Sequence, residues 1–141
     1  MIRISHRGNT FGPDKKNENH PDYILSALDN YYCEVDVWMH NDQLYFGHDE
    51  PQYPADWLVI ERSGIIAHAK NIGALDMLLR RNIHCFSHDK DDYVLTNKGW
   101  IWAYPDKPSA YLHQTIAVLP ELHNTDVAGF AGVCSDYVDR Y

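Results

Sequence analysis

The chain has 141 residues, of which 13% are aromatic, so it is long enough to form one domain over residues 1–141 with a core of its own. This composition excludes a disordered or a fibrous protein. The formal net charge is −8 and the lysines and arginines are scattered, which disfavours nucleic acid and anionic membrane surfaces as partners.

Apolar patterning and turn residues predict an alternation of strands, loops and two helices. The first helix runs from Pro21 to about Asn30, with Asn19 as its candidate N-cap, and the second begins after an N-cap at Asn71. The predicted strands, in chain order, are 2–5, 31–38, 44–46, 65–68, 83–87, 100–103, 115–119 and 132–135. The longer loops are expected at 8–20, 49–56 and 88–99.

Strands separated by helices or long loops indicate parallel pairing. A full (β/α)₈ barrel needs about 250 residues, and this chain has two convincing helices. We therefore expect an α/β fold: a compact TIM-like (β/α) barrel with reduced helices, parallel strands and one β-hairpin extension over residues 31–46. The alternative is an open parallel α/β sheet, which is disfavoured because no glycine-rich phosphate loop follows the first strand.

The compartment is indicated by the cysteines and by the N-terminal segment. Cys33, Cys85 and Cys134 are odd in number, far apart and each inside a predicted strand, which is typical of reduced, buried cysteines. The N-terminus enters a strand without the features of a secretory signal, and no run approaches 18 apolar residues. We expect a cytoplasmic protein with no membrane insertion.

Two carboxylates share one face of the second predicted strand. Glu34 and Asp36 are two residues apart, so both point to the barrel interior, while Val35 and Val37 point to the other face. Two buried carboxylates repel each other, and a divalent cation between them removes this cost. Their oxygen atoms suit Mg²⁺, Ca²⁺ or Mn²⁺.

Two histidines and two basic residues lie at predicted strand ends around this acidic pair. An imidazole titrates near neutral pH and can remove or supply a proton, so His6 and His48 are candidates for a general base and a general acid. The guanidinium of Arg7 can bind phosphate oxygens in a bidentate fork. Lys70 can add a point charge to the same phosphate.

These segments resemble the glycerophosphodiester phosphodiesterase family, within the superfamily that includes phosphatidylinositol-specific phospholipases C. The resemblance is carried by His6-Arg7, Glu34-Val35-Asp36 and His48-Asp49, and it is strongest over residues 3–50. Glu18-Asn19 is similar to a Glu-Asn pair of that family, and the segment 134–137 is similar to its closing Thr-Asp-Tyr strand.

The resemblance implies a TIM barrel that hydrolyses a small-molecule phosphodiester with a divalent metal ion and releases an alcohol. A neighbouring hydroxyl of the substrate can attack first, giving a cyclic phosphate that water then opens. His6 and His48 would be the acid–base pair, and Arg7 would hold phosphate. The metal ligands that the resemblance implies are Glu18, Glu34 and Asp36.

The third strand departs from the family pattern, in which Glu-x-Lys is usual. This chain has His68-Ala69-Lys70, so the lysine is kept and the acidic ligand is replaced by imidazole. A nitrogen ligand at His68 favours Mn²⁺ or Zn²⁺ over Ca²⁺. In the alternative interpretation His68 is no ligand, and Glu121 from a later strand takes the place.

Two other functions stay open, because the chain is short and its third strand is altered. One is a non-catalytic module that binds a phosphorylated sugar or lipid headgroup on the same scaffold. The other is a metal-dependent hydrolase of amide or ester bonds, which is disfavoured since no His-x-His ends the first strand. A homodimer could cover exposed strand faces of so thin a barrel.

Overall fold

The computed structural model describes residues 1–107 and 110–141, and within them ten strands form one mixed sheet. The strands are β1 (Ile2–His6), β2 (Tyr32–His40), β3 (Gln43–Phe46), β4 (Tyr53–Pro54), β5 (Ile65–Ala69), β6 (Cys85–Phe86), β7 (Tyr93–Leu95), β8 (Ile101–Ala103), β9 (Thr115–Val118) and β10 (Gly132–Ser135).

Three short α-helices lie in the first 80 residues, and single 3₁₀ turns replace helices in the last third of the chain. The α-helices are α1 (Pro21–Leu28), α2 (Trp57–Ile60) and α3 (Ile72–Arg80). The 3₁₀ turns are Leu112–Gln114, Pro120–Leu122 and Val138–Arg140.

Seven strands run parallel in the spatial order β6-β5-β2-β1-β10-β9-β8. Strand β3 pairs antiparallel with the second half of β2, and β4 pairs antiparallel with β3. Strand β7 pairs antiparallel with β8 at the far end of the sheet. The carboxyl ends of the seven parallel strands therefore meet at one edge.

The predicted TIM-like barrel is wrong: the sheet is an open half-barrel that mixes parallel and antiparallel strands. A TIM barrel places a helix after each strand, whereas 3₁₀ turns and loops connect β8, β9 and β10. Strands β6 and β8 have two and three residues, and no ladder joins them in the described part of the chain. Such short strands offer too few backbone groups to close the sheet.

Each predicted strand overlaps an observed one, but shorter elements were missed. Strands β4 and β7 lie inside the predicted loops 49–56 and 88–99. Helix α1 ends at Leu28, and its N-cap is His20, whose Nδ1 accepts from the Asp22 backbone N–H at 3.2 Å. The prediction of Asn19 as this N-cap is therefore wrong.

The core forms two clusters, one on each face of the sheet. The outer cluster packs alternate β2 residues, Val35 and Val37, against the buried faces of α1 and α3. The inner cluster lies on the concave face and includes Ile4, Ile66 and Trp102. Because side chains alternate along a strand, Glu34 and Asp36 lie on the concave face with the inner cluster.

Candidate functional site

The carboxyl ends of three neighbouring parallel strands bring the predicted acidic and imidazole groups together. In the ladder between β1 and β2, His6 lies opposite Glu34. In the ladder between β2 and β5, Asp36 lies opposite His68. Strand register therefore places four functional side chains on adjacent positions of the concave face.

Glu34, Asp36 and His68, which we call the acidic cluster, have ligand atoms that all lie within 4.8 Å of one another. All three residues are buried, and the Asp36 side chain is 0% exposed. Asp36 accepts hydrogen bonds from His68 Nδ1 at 3.1 Å and from Asn19 Nδ2 at 3.0 Å. Its Oδ1 also lies 3.5 Å from Lys70 Nζ.

The pKa values of the two carboxylates in the acidic cluster are shifted in opposite directions. Burial, followed by the charge of Asp36, raises the pKa of Glu34. Burial also acts to raise the pKa of Asp36, but the hydrogen bond from His68 and the charge of Arg7 outweigh it and hold that pKa well below its usual range. Asp36 is therefore the carboxyl that stays ionised, whereas burial and the charge of Asp36 outweigh the cationic neighbours of Glu34.

The acidic cluster fits a divalent cation. Glu34 Oε2 is buried and has no hydrogen-bond partner among the described residues, so it leaves a lone pair that a cation could satisfy. Because ionised Asp36 can only accept, His68 donates from Nδ1, so that Nε2 of the neutral ring is the nitrogen that could bind a cation. Two carboxylates and an imidazole suit Mn²⁺ or Zn²⁺ as well as Mg²⁺.

His6 is held by a carboxylate from the other end of the chain. Its Nδ1 donates to Asp136 Oδ1 at 2.7 Å, and Asn9 Nδ2 donates to the same oxygen at 2.8 Å. Burial acts to lower the pKa of His6, but the hydrogen bond to Asp136 and the charge of Glu34 raise it overall. Nε2 of the neutral ring keeps its lone pair and lies 3.9 Å from Glu34 Oε2.

Arg7 follows β1 in a left-handed backbone conformation, with φ = 55°, which is unusual for a residue with a side chain. Two backbone hydrogen bonds hold it there, from Arg7 N to Glu34 O at 2.9 Å and from Asn19 N to Arg7 O at 3.0 Å. Its Nε lies 3.0 Å from Asp36 Oδ2, an ion pair without hydrogen-bond geometry. Its Nη1 donates to Glu18 Oε2 at 3.3 Å.

His48 reaches the site from the turn that follows β3. Gly47 makes this turn possible, because its φ is 155° and a Cβ there would lie 2.0 Å from the Glu50 carbonyl oxygen. The His48 side chain is 42% exposed, and its Nδ1 pairs with Asp49 Oδ1 at 2.7 Å. His48 is thus the more exposed of the two histidines, whereas His6 is buried.

One cavity of about 420 Å³ joins these groups, and we call it the main cavity. It brings together two of the three members of the acidic cluster and all four residues predicted for acid–base catalysis and phosphate binding. The lining residues among the predicted set are His6, Arg7, Glu34, His48, His68 and Lys70.

Two predicted metal ligands lie outside the acidic cluster. Glu18 lines a neighbouring cavity and accepts from Arg7 and, at 3.0 Å, from Asn9 Nδ2. Glu121 Oε1 accepts from the Asp136 backbone N–H at 2.9 Å, so Glu121 supports the carboxylate that holds His6. Of the two alternatives for the third strand, His68 is the one that lies with Glu34 and Asp36.

The sequence pattern predicted no role in the site for three side chains that help to build it: Asn9, Asn19 and Asp136. The sequence predicts a helix cap at Asn19, but the Asn19 side-chain amide makes two hydrogen bonds with Asp36 instead. Its Nδ2 donates to the Asp36 carboxylate at 3.0 Å, and its Oδ1 accepts from the Asp36 backbone N–H at 2.9 Å. Asp136 directly follows the last predicted strand, 132–135, and a position after a parallel strand is the signal that could have identified it.

No helix in residues 1–107 and 110–141 combines the length and apolar character needed to cross a membrane. Comparisons with family models, with curated proteins and with solved structures found no match.

Proposed function

We propose that this protein is a metal-dependent phosphodiesterase that uses His6 and His48 as its acid–base pair. The observation that supports this most strongly is the main cavity, where His6, His48, two members of the acidic cluster and two cationic side chains line one space. The resemblance to glycerophosphodiester phosphodiesterases supports the same reaction class through its motifs, without the barrel that it implied.

His6 is suited to the general base. Its Nδ1 donates to Asp136, which fixes the tautomer in which Nε2 can accept a proton. The proton would come from the attacking oxygen, which belongs to water or to a neighbouring hydroxyl of the substrate. That oxygen forms a bond to phosphorus as the bond from phosphorus to the leaving oxygen breaks.

His48 is suited to the general acid because it lines the main cavity and its side chain is partly exposed. It would give a proton to the leaving oxygen, so that a neutral alcohol departs. Arg7 and Lys70 both line the cavity and would hold the non-bridging phosphate oxygens. A divalent cation bound by the acidic cluster would neutralise phosphate charge and acidify the attacking oxygen.

Hydrolysis of bis-p-nitrophenyl phosphate tests this function, with Mg²⁺, Mn²⁺, Ca²⁺ or Zn²⁺ added in turn. We expect turnover by the wild type and a loss of about 100-fold or more in His6→Ala and His48→Ala. His113→Ala is the matched control, because His113 is exposed before β9, at the opposite end of the strands.

A result that contradicts the proposal is the absence of hydrolysis by the wild type with every one of these metals. If inorganic phosphate still binds under those conditions, and binding survives His6→Ala and His48→Ala, the protein is a phospho-ligand-binding module. Equal activity of the two variants and the wild type would reject the assigned roles of the two histidines.

A further inference from the structure

The main cavity has a second wall that the proposed reaction does not use. Phe86, His88, Trp102 and Tyr104 line it together with apolar side chains at the end of β9. We propose that this wall binds a planar aromatic group on one arm of the substrate. This inference rests on the proposed function, because the acid–base and phosphate-binding residues place the phosphorus beside the wall.

The wall is a continuous series of aromatic rings that starts at the acidic cluster. The His68 ring stacks on Phe86 at 4.9 Å and on His88 at 4.5 Å between ring centroids. From there the series continues to Trp102, 4.8 Å from Phe86, and to Tyr104, 4.3 Å from His88. It spans the opening where β6 and β8 do not pair.

The rings of this wall pack against one another. Phe86 and Trp102 are 3% and 2% exposed, so they support the rings in front of them, while His88 and Tyr104 are partly exposed. Rings held by other rings lose little side-chain freedom when a ligand binds. A planar ligand gains stacking attraction beyond the area it buries, whereas an alkyl chain gains the area alone.

The neighbouring cavity that contains Glu18 differs in chemistry. It has a volume of about 310 Å³ and shares Arg7 and His48 with the main cavity, so the two meet where the phosphate would lie. Every residue that lines it is polar or charged, and its further members are Lys15, Asn19, Asp49, Glu50 and Gln52. The aromatic arm therefore belongs in the main cavity, and the polar lining of the neighbouring cavity suits a hydroxylated second arm.

Isothermal titration calorimetry with three phosphate monoesters tests the aromatic wall on the full chain with Mg²⁺ present. We expect phenyl phosphate to bind about tenfold more tightly than glycerol 1-phosphate or hexyl phosphate. Tyr104→Leu should reduce this preference to about twofold, because it keeps apolar area and removes the ring. Tyr93→Leu is the control, since Tyr93 is an exposed ring on β7 that does not line the cavity.

The inference is overturned if the three monoesters bind equally or if hexyl phosphate binds at least as tightly as phenyl phosphate. The comparison in the wild type decides this even if Tyr104→Leu does not fold. Adenosine 5′-monophosphate distinguishes a nucleobase from a simple aryl group as the natural source of the ring. Binding requires no turnover, so an aromatic preference without hydrolysis would reject the proposed function and keep the inference.

Discussion

Asp36 is the residue on which most contacts of the candidate site converge. Its carboxylate is fully buried and contacts Asn19, His68, Arg7 and Lys70. Strand alternation was enough to place it beside Glu34 on one face. The contacts of Asp36 with Asn19 and Arg7 could not be predicted from the sequence. Asn19 lies in a long loop, and Arg7 has a left-handed backbone conformation.

Asp136 is the clearest example of a contact that the sequence alone could not predict. Its contact with His6 joins residues 130 positions apart, and no local pattern encodes such a distance. The pairing of β1 with β10 brings Asp136 to His6, so the contact follows from the topology of the sheet. Burial acts to raise the pKa of Asp136, but the hydrogen bond from His6 lowers it overall, which keeps this partner ionised.

Asp136→Asn should lower kcat/KM for phosphodiester hydrolysis by about 100-fold, because His6 loses the carboxylate that fixes its tautomer. The same change removes an interaction that raises the pKa of His6. A base works only when deprotonated, so the acidic limb of the pH profile should move to lower pH. Rates measured from pH 5 to pH 9 check both effects.

Asp139→Asn is the matched control for Asp136→Asn. Asp139 is exposed in the next turn of the chain, and its Oδ1 accepts a bond at 3.3 Å from the Tyr31 hydroxyl. Its pH profile should match that of the wild type. An unchanged profile in Asp136→Asn would show that Asp136 does not act through His6.

At the scale of elements, β2 organises the site because it pairs with β1, β3 and β5 and presents a different chemistry on each face. Its apolar residues face the helices, and its two carboxylates lie on the concave face. This alternation was readable from the sequence. Strands β4, β6 and β7 have two or three residues, too few for a period to be recognised, so their presence or their ends were missed.

Asn71 joins α3 to β2 and was predicted as a cap. Its Oδ1 accepts from Ala74 N and from Met39 N, both at 3.0 Å, and its Nδ2 donates to Met39 O at 2.9 Å. Asn71→Ala should therefore lower the free energy of unfolding by about 2 kcal/mol, since it removes a cap and leaves two backbone groups of Met39 unpaired. Urea denaturation followed by circular dichroism measures this change.

Asp56→Ala provides the comparison for this cap. Asp56 caps the four-residue helix α2 through one bond, to Leu58 N at 2.8 Å, and it is exposed. Its removal should cost about 1 kcal/mol or less. Equal losses in the two variants would mean that the contacts with β2 add nothing to the stability of α3.

At the scale of the whole molecule, an open half-barrel is sufficient to build the site. The parallel order of seven strands gathers His6, the acidic cluster and Asp136 at one edge, and this requires only the order of the strands, not closure. Parallel pairing was predicted from the spacing of the elements. Closure was wrongly predicted because it depends on β6 and β8 being long enough to pair, and two- and three-residue strands are not.

The most direct test of the account is a crystal structure with Mn²⁺ and inorganic phosphate, with the metal located by its anomalous scattering. We expect Mn²⁺ bound by Glu34, Asp36 and His68, with the phosphate in the main cavity against Arg7 and beside both His6 and His48. Mn²⁺ or phosphate bound elsewhere, with the acidic cluster still closed by its own cationic partners, would contradict the account.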